Sequence, residues 1–469
     1  MKDLSAPSWD DQLSHCEELV PLVGKLFRER RIALNIFGSP LTGLSAIEIL
    51  KVHRYARHVL GFELSAQESK QLIERIADSS SANVDVDLGR LLSEEVVSAE
   101  TRALEGLVEG ATVPAGKRDV VLYGFGRIGR LVARILMEQS SIDAGLHLRA
   151  IVVRRGSSTD LTKRASLLRR DSVHGKFEGV IKVDEVSESL IINGSVVKVI
   201  YANEPSEVDY TSFGISEALL IDNTGIWRDE AGLSKHLAAR GVSKVLLTAP
   251  GKGDLKNIVF GINHQTVRED DLIVTAASCT TNAITPVLKV LADRFGIIHG
   301  HVETVHSYTN DQNLIDNFHK GERRGRSAPM NMVISETGAA KAVAKALPEL
   351  AGKLTGNAIR VPTPNVSMAI LNLQLDSEVS KELINDTLRE ASIFSALHNQ
   401  IDYLDSPEVV STDFVGSRRS GIVDGLATIA DGKNAVVYVW YDNEFGYSNQ
   451  VVRLANQMAG TELASVPAR

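Results

Sequence analysis

The sequence predicts an α/β protein: a doubly wound domain with a parallel sheet, then an α+β domain with a mostly antiparallel sheet, preceded by an all-α extension. Three observations predict this order. Helical patterns occupy residues 10–110, short apolar runs then alternate with helical segments, and beyond residue 300 the runs alternate apolar with polar residues. At 469 residues the chain has room for roughly two or three domains.

The extension, residues 1–115, carries two capping boxes. Ser45 and Glu48 have the required spacing, as do Ser65 and Glu68, and an amphipathic segment follows each pair. We expect Gly61 to end the first helix and residues 111–116 to form a linker. The extension is expected to serve oligomerisation or packing, with regulation or partner binding as the alternative.

Beyond Lys117, five runs rich in Val, Ile and Leu are too short for helices and suit strands buried in a parallel sheet. They are DVVLY, LRAIVV, ALLIDNTG, KVLLTAP and DLIVTAAS. Three later runs alternate more and are typical of antiparallel strands: GHVETVHSYT, NVSMAILNLQL and AVVYVWYDN.

Composition and charge exclude several classes of function. The 51 Lys and Arg residues against 59 Asp and Glu give a net charge of -8, so no basic field favours nucleic acid. The two cysteines, Cys16 and Cys279, cannot form a disulfide framework, which fits a reducing compartment. No apolar run is long enough to span a bilayer. We therefore expect a soluble cytoplasmic protein without a membrane partner or a metal site, and Cys16 as a core thiol.

A glycine loop follows the first strand of the parallel sheet. Gly124, Gly126 and Gly129 form G-x-G-x-x-G between a strand and a helical pattern, which is the setting of a dinucleotide-binding turn. The alternative is a glycine turn chosen for packing alone. The flanking strand and helix favour a Rossmann-type cofactor site.

The next strand ends in Val153-Arg154-Arg155, without the acid that usually binds the adenosine ribose. Arg154 or Arg155, with Ser157, could accept a 2′-phosphate instead. We therefore expect NADP to be tolerated or preferred. The alternative is that both arginines are solvated loop charges.

Cys279 lies where the run DLIVTAAS ends and a helical pattern begins. A helix N-terminus lowers the pKa of a thiol and offers amides to an oxyanion, so the placement suits a nucleophile. A buried, inert cysteine is the alternative. His306, within a strand pattern flanked by polar residues, is a candidate base that could hold the thiolate. A hydrogen-bonded core histidine is the alternative there.

Six motifs in order, covering residues 118–460, resemble phosphorylating glyceraldehyde-3-phosphate dehydrogenase. They are GFGRIGR, SCTTN, TVHSYTNDQNLID, ETGAAKAV, PELAGKLTGNAIRVPTPNVS and WYDNEFGYSNQVV. The resemblance implies a dinucleotide-binding domain over residues 116–278 and a catalytic domain over residues 279–441. Residues 442–469 would return to the dinucleotide-binding domain, and the family's usual homotetramer is expected.

The resemblance further implies a role for each motif residue. Cys279 would be the nucleophile and His306 its base. The residues implied at the NAD or NADP site are Gly124, Gly126, Arg127, Ile128, Gly129, Thr224 and Asn443, with Arg155 added from the strand end. Thr309 and Arg360 would bind the phosphate of the substrate. The residues implied for substrate and attacking inorganic phosphate are Ser278, Thr280, Arg324, Thr337 and Gly338.

The sequence departs from the family pattern at Ala283, where most members have a second cysteine. An alanine cannot trap an oxidised Cys279 in a disulfide, so the second thiol is dispensable for acyl transfer. Three alternative functions stay open. They are erythrose-4-phosphate dehydrogenase, a non-catalytic regulatory protein on the same scaffold, and a Cys-His hydrolase. The hydrolase leaves the glycine loop and Asn443 unexplained.

Overall fold

The computed structural model describes residues 9–60, 64–93, 116–140 and 144–467. The expected helix stop at Gly61 and the linker residues 111–115 lie outside the described residues. Within those ranges the chain forms three sheets of four, eight and eight strands and a two-stranded ribbon. No helix in the described ranges has the length and apolar character needed to cross a bilayer.

The N-terminal extension is a small α/β unit, so the expectation of an all-α extension is wrong. Its helices are Trp9–Arg30, Ala46–Leu60, Ala66–Asp78 and Leu88–Leu91, and its strands are Ile32–Ile36, Ser39–Pro40 and Val84–Asp87. The first and last of these strands pair in parallel. They were missed because strands of four and five residues carry too little periodicity to be distinguished from loops between helices.

The predicted capping box at Ser45 and Glu48 is present, and at Ser65 the N-cap bond of the second predicted box is present. The Ser65 hydroxyl accepts from the Glu68 amide, and the Ser45 amide donates to the Glu48 carboxylate at 2.8 Å. Cys16 is fully buried in the core of the extension, as expected, and burial raises the pKa of its thiol to about 11.

The second unit is the predicted doubly wound domain. Its eight-stranded sheet comprises Lys117–Tyr123, Gly145–Val153, Ile181–Asp184, Ser189–Ile192, Ser195–Tyr201, Ala218–Asp222, Val242–Leu247 and Ile273–Thr275. Six of these strands are parallel, and all five predicted runs lie among them. The helices are Arg127–Glu138, Asp160–Arg169 and Glu230–Leu237, and the ribbon pairs Arg170–Asp171 with Gly175–Lys176.

The third unit is an α+β domain with a mostly antiparallel sheet, as predicted. Its strands are Ile297–Ser307, Val333–Glu336, Leu354–Val361, Ser367–Leu375, Ile401–Leu404, Gly421–Asp424, Ile429–Asp431 and Asn434–Tyr441. Its helices are Cys279–Phe295, Ala339–Ala346 and Lys381–Phe394.

The second and third units also contain short 3-10 turns. They lie at Pro205–Glu207, Tyr210–Phe213, His264–Thr266, Glu322–Gly325, Pro348–Leu350 and Ser411–Phe414.

The C-terminal segment joins two units. The helix Phe445–Ala459 buries Val451, Val452 and Ala455 in the core of the doubly wound domain. The strand Ala464–Val466 then pairs in parallel with Val84–Asp87 and completes the sheet of the extension. The helix Phe445–Ala459 and the strand Ala464–Val466 therefore connect the doubly wound domain to the extension.

Candidate active site

Cys279 begins the helix Cys279–Phe295, immediately after the sheet of the doubly wound domain. Ser278 is the N-cap residue, and its hydroxyl accepts from the Thr281 amide at 3.1 Å. The thiol lies against the amides of the first turn, where the helix dipole favours a negative charge. The position suits a thiol that becomes a thiolate during reaction.

The backbone just before Cys279 adopts an uncommon conformation. Ala277 has a φ of +51°, which residues with a side chain seldom adopt. The Tyr447 hydroxyl, from the C-terminal helix, donates to the Ala277 carbonyl at 3.1 Å. A distant helix therefore helps to fix the turn that presents Cys279.

His306 is the partner of the thiol. Its Nε2 lies 3.6 Å from Cys279 Sγ, and its Nδ1 lies 2.7 Å from the Ser307 carbonyl and 2.8 Å from Arg360 Nη1. One nitrogen cannot donate to the carbonyl and accept from Arg360 at the same time. The tautomer that donates from Nδ1 to Ser307 leaves Nε2 able to take the thiol proton.

The sequence suggested that His306 could hold Cys279 as a thiolate, but the surroundings of the two side chains favour their neutral forms. Burial raises the pKa of the Cys279 thiol, although Arg360 and the Thr280 hydroxyl and amide oppose that rise. Burial, reinforced by Arg360, lowers the pKa of His306 to about 3. Both effects favour the neutral thiol and imidazole, because a buried site disfavours charge. The thiolate is therefore expected to form as His306 accepts the proton.

An anion-binding side lies next to His306. Arg360 is opposite His306 on the neighbouring parallel strand. The Thr309 hydroxyl donates to Asp311, and Arg324 Nη1 donates to the same carboxylate at 2.5 Å. Burial would raise the pKa of Asp311, but Thr309, Arg324 and Arg360 outweigh it and lower that pKa. The structure therefore brings together three of the residues predicted to bind phosphate, around a carboxylate.

The other predicted substrate residues have local roles as well. The Thr280 hydroxyl lies 3.0 Å from the Tyr441 hydroxyl, and the Ser278 hydroxyl serves the helix cap. Thr337 and Gly338 precede the helix Ala339–Ala346, where the Thr337 hydroxyl accepts from the Ala339 amide at 3.2 Å. That helix packs on the helix that Cys279 begins.

The glycine loop has the geometry of a pyrophosphate site. Gly124 has a φ of +91°, and a Cβ on Gly129 would lie 2.5 Å from the Gly124 carbonyl oxygen, so both turn and packing require glycine. A Cβ on Gly126 would meet nothing within 4 Å. Gly126 is also the N-cap of the helix Arg127–Glu138, so open space lies beside a helix N-terminus. These residues fit a dinucleotide, and Thr224 lies at the edge of the loop, where a Cβ on Gly124 would be 2.9 Å from Thr224 Cγ2.

The predicted cofactor residues Arg127 and Ile128 are held by protein contacts. Arg127 forms ion pairs with Asp171 at 3.0 Å and Glu444 at 2.5 Å, and Ile128 packs on the domain core. Their backbone amides in the first turn of the helix, rather than their side chains, suit a pyrophosphate.

A buried histidine supports the loop that carries Asn443. His174 Nε2 lies 2.9 Å from Asp442, and Asp171 lies on its other side. Burial alone would lower the pKa of His174, but Asp171 and Asp442 outweigh it and raise that pKa to about 9. His174 is therefore a cation at neutral pH.

Asn443 is buried and is connected through hydrogen bonds to the strand that carries His306. The Ser367 hydroxyl donates to Asn443 Oδ1 at 2.9 Å and accepts from the Ser307 amide at 3.1 Å. Ser307 is the neighbour of His306 in the chain. The predicted nicotinamide contact and the predicted base thus share one hydrogen-bond network.

Arg155 is already paired. Its guanidinium forms an ion pair with Glu188 and lies 3.6 Å above the ring of Tyr201. Both members of the pair are about half exposed. A 2′-phosphate would have to compete with Glu188 for this arginine.

Sequence reasoning missed five residues of the site: Asp311, Tyr441, Tyr447, Ser367 and His174. Asp311, Ser367, Tyr441 and Tyr447 lie within the six motifs, and Asp311 could have been noticed as an acid close to Thr309. The contacts of the other four residues are with partners distant in sequence, for which the chain offers no local signal.

A glycine loop of dinucleotide-binding geometry, with a thiol, an imidazole and an arginine close together beyond it, defines the class: a nicotinamide-dependent oxidoreductase. Comparison with known proteins agrees. Residues 118–230 match the family model "Glyceraldehyde 3-phosphate dehydrogenase, NAD binding domain", and residues 278–443 match the model of its C-terminal domain.

Three relatives are similar over most of their own length. A "Glyceraldehyde-3-phosphate dehydrogenase-like protein" of Pseudomonas aeruginosa is 56% identical over 460 residues, which is 96% of this chain and 100% of that protein. Glyceraldehyde-3-phosphate dehydrogenases of Zymomonas mobilis and Bacillus subtilis are 40% and 41% identical, covering 73% and 72% of this chain and 98% of each relative. The chain belongs to the glyceraldehyde-3-phosphate dehydrogenase family, and the NAD-binding domain is that of the family.

Proposed function

We propose that this protein is a phosphorylating glyceraldehyde-3-phosphate dehydrogenase. It would convert D-glyceraldehyde 3-phosphate, inorganic phosphate and NAD or NADP to 1,3-bisphosphoglycerate, and catalyse the reverse reaction. The observation that carries the proposal is the 3.6 Å contact between Cys279 Sγ and His306 Nε2 at a helix N-terminus, with Arg360 beside it.

The side chains support a covalent route. The Cys279 thiol adds to the aldehyde carbon as His306 Nε2 takes its proton, and the first-turn amides hold the oxyanion of the thiohemiacetal. A nicotinamide cofactor would supply the hydride acceptor, with its carboxamide on Asn443. Once the hydride has left, the thioester on Cys279 is attacked by phosphate. The acyl phosphate is released and Sγ regains a proton.

Two anions must bind near the thiol in this reaction. Thr309 and Arg360 would hold the phosphate of the substrate, and Arg324 with Ser278, Thr280, Thr337 and Gly338 would place the attacking phosphate. Arginine suits both because its planar fork matches phosphate oxygens. Asp311, which pairs with Arg324, would keep these cations oriented when no anion is bound.

We further propose that the chain is a homo-oligomer, a tetramer by family resemblance. The segment after His306 exposes Leu314, Ile315 and Phe318 by 71%, 78% and 91%, and Met330 by 81%. Large apolar side chains grouped on one segment support a contact with another copy. Sedimentation would test this directly.

Steady-state kinetics test the activity. Glyceraldehyde 3-phosphate and erythrose 4-phosphate are compared as substrates, each with NAD and NADP, with and without inorganic phosphate. We expect phosphate-dependent oxidation of the three-carbon aldehyde, abolished in Cys279→Ala and retained in the control Cys16→Ala. Faster oxidation of the four-carbon aldehyde would favour erythrose-4-phosphate dehydrogenase. A pure preparation without phosphate-dependent activity would favour the non-catalytic protein.

A further inference from the structure

A cavity of about 190 Å³ lies where the extension meets the other units. Arg31 and Asn35 of the extension line one side, and Asn449 and Arg453 of the helix Phe445–Ala459 line another. Arg418 closes the wall from the catalytic domain. The cavity is separate from the thiol and the glycine loop, because none of their residues lines it.

The wall combines apolar surface with many amide and guanidinium groups, including those of Asn399 and Asn456. Its volume exceeds the roughly 30 Å³ share of one water and lies below the range of about 300–1,000 Å³ typical of drug-sized ligands. These properties suit a small polar metabolite.

Arg31 is the unusual member of the wall. It is 8% exposed, has a φ of +52°, and donates from Nη2 to the Thr461 carbonyl at 3.1 Å. A Cβ on Gly145 would lie 2.6 Å from the same Nη2, so a glycine is needed for the guanidinium to fit. Its Nη1 is buried without a hydrogen-bond partner among the described residues.

No carboxylate in the described part of the chain forms an ion pair with Arg31, and burial lowers its pKa without any opposing acid. The acidic side chains of the wall either accept hydrogen bonds from other residues or are exposed. Glu138 accepts two bonds from Arg418, at 2.6 and 2.8 Å, Asp85 accepts from Asn35 at 2.8 Å, and Glu462 is exposed. A buried cation without a counter-ion is destabilising, which indicates that an anion completes the site.

We propose that this cavity binds a small hydroxylated anion, a phosphate monoester or a carboxylate. The anionic group lies against Arg31, and the hydroxyls bond the amides of Asn35, Asn399 and Asn449. The site is a regulatory one, distinct from the binding of substrate and cofactor.

Two connections lead from this cavity to the proposed nicotinamide contact. Asn449 and Arg453 lie on the helix that starts just after Asn443. The segment that carries Arg418 donates from the Gly416 amide to Asp442 at 2.8 Å. Occupancy of the cavity therefore changes the support of Asn443, and with it the KM for the cofactor. This coupling rests on the proposed function, whereas binding does not.

The test of binding is thermal unfolding of the full chain in glycerol 2-phosphate, citrate or chloride at equal ionic strength. The variants are Arg31→Gln, which removes the charge, and Ala33→Leu, which fills the cavity from the strand Ile32–Ile36 without changing charge. Arg240→Gln is the matched control, since Arg240 is 77% exposed and outside the cavity.

We expect one of the two organic anions to raise the Tm of the wild type and of Arg240→Gln more than that of the cavity variants. The apparent Kd should be about tenfold higher in Arg31→Gln, as for a lost charge-assisted hydrogen bond. Binding at the catalytic anion sites is common to all variants and cancels in the comparison. A rise in Tm with glycerol 2-phosphate would identify the ligand as a phosphate ester, and a rise with citrate would identify it as a carboxylate.

Equal Tm responses in the wild type and both cavity variants would overturn the site, whether or not the enzyme proves active. If Arg31→Gln does not fold, Ala33→Leu decides the result alone. A cofactor KM that stays constant while the anion saturates the wild type would overturn the regulatory role.

Discussion

Arg360 and His306 lie opposite each other on adjacent parallel strands, with Arg360 Nη1 2.8 Å from His306 Nδ1. The guanidinium therefore acts on both His306 and Cys279. It adds to the effect of burial in lowering the pKa of His306, and it opposes the effect of burial on Cys279. An arginine proposed to bind phosphate thus also influences the protonation of Cys279 and His306.

Removing this charge should make the thiol less reactive at neutral pH. In Arg360→Met the pKa of Cys279 rises further and that of His306 rises towards its ordinary value, because the cation no longer favours thiolate or opposes imidazolium. The rate of alkylation by iodoacetamide, measured against pH, should have its midpoint at higher pH than in the wild type. Arg360→Lys, which keeps the charge, is the control, and an unchanged profile in Arg360→Met would contradict this role.

Tyr447→Phe should reduce turnover without changing substrate affinity. The substitution removes the hydroxyl that donates to Ala277, so the turn before Cys279 loses one of its supports. One hydrogen bond corresponds to about 1 kcal/mol, and we expect kcat to fall about fivefold. Kinetics with Tyr438→Phe as control provide the comparison, and a rise in KM alone would be inconsistent with this interpretation.

His174 should stabilise the protein in a pH-dependent manner. Its pKa is raised to about 9 from an ordinary value near 6.5, so its contribution is fully present below about pH 6.5 and is lost as the pH rises through 9. His174→Gln should lower the free energy of unfolding by roughly 3 kcal/mol at pH 6, and the difference should shrink above pH 9.

Denaturation at several pH values checks this expectation. His301→Gln, at a partly exposed histidine, is the control. The KM for the cofactor should also rise in His174→Gln, because Asp442 precedes Asn443. A stability difference that does not depend on pH would show that His174 acts by packing alone.

Glu188→Gln should improve the use of NADP. Arg155 would lose its carboxylate partner and become available to a 2′-phosphate. We expect kcat/KM for NADP to rise severalfold, with that for NAD little changed, and the gain to disappear in the double variant with Arg155→Met. The control is Glu185→Gln, since Glu185 instead accepts from Thr162. Equal changes in kcat/KM for NAD and NADP would contradict a contact between Arg155 and the 2′-phosphate of NADP.

Much of the fold could be predicted because its signals are local. Apolar runs marked the strands of the parallel sheet, and the spacing of Ser65 and Glu68 marked a helix start, because each depends on residues close in sequence. Most of the predicted site residues were instead assigned through the resemblance of six motifs to a known family. The strand Ala464–Val466 could not be predicted, because its partner strand, Val84–Asp87, lies far away in the sequence, near the other end of the chain.

By itself, then, the sequence determined the order of the units and the glycine loop, and it predicted Cys279 and His306 as a nucleophile and its base. The tertiary structure decided their protonation, since burial and the charge of Arg360 act through space. It also decided that Arg155 is paired and that Arg31 is a buried cation without a carboxylate among the described residues. Electrostatic environment depends on which groups the fold brings together, and that information is absent from any local stretch of the chain.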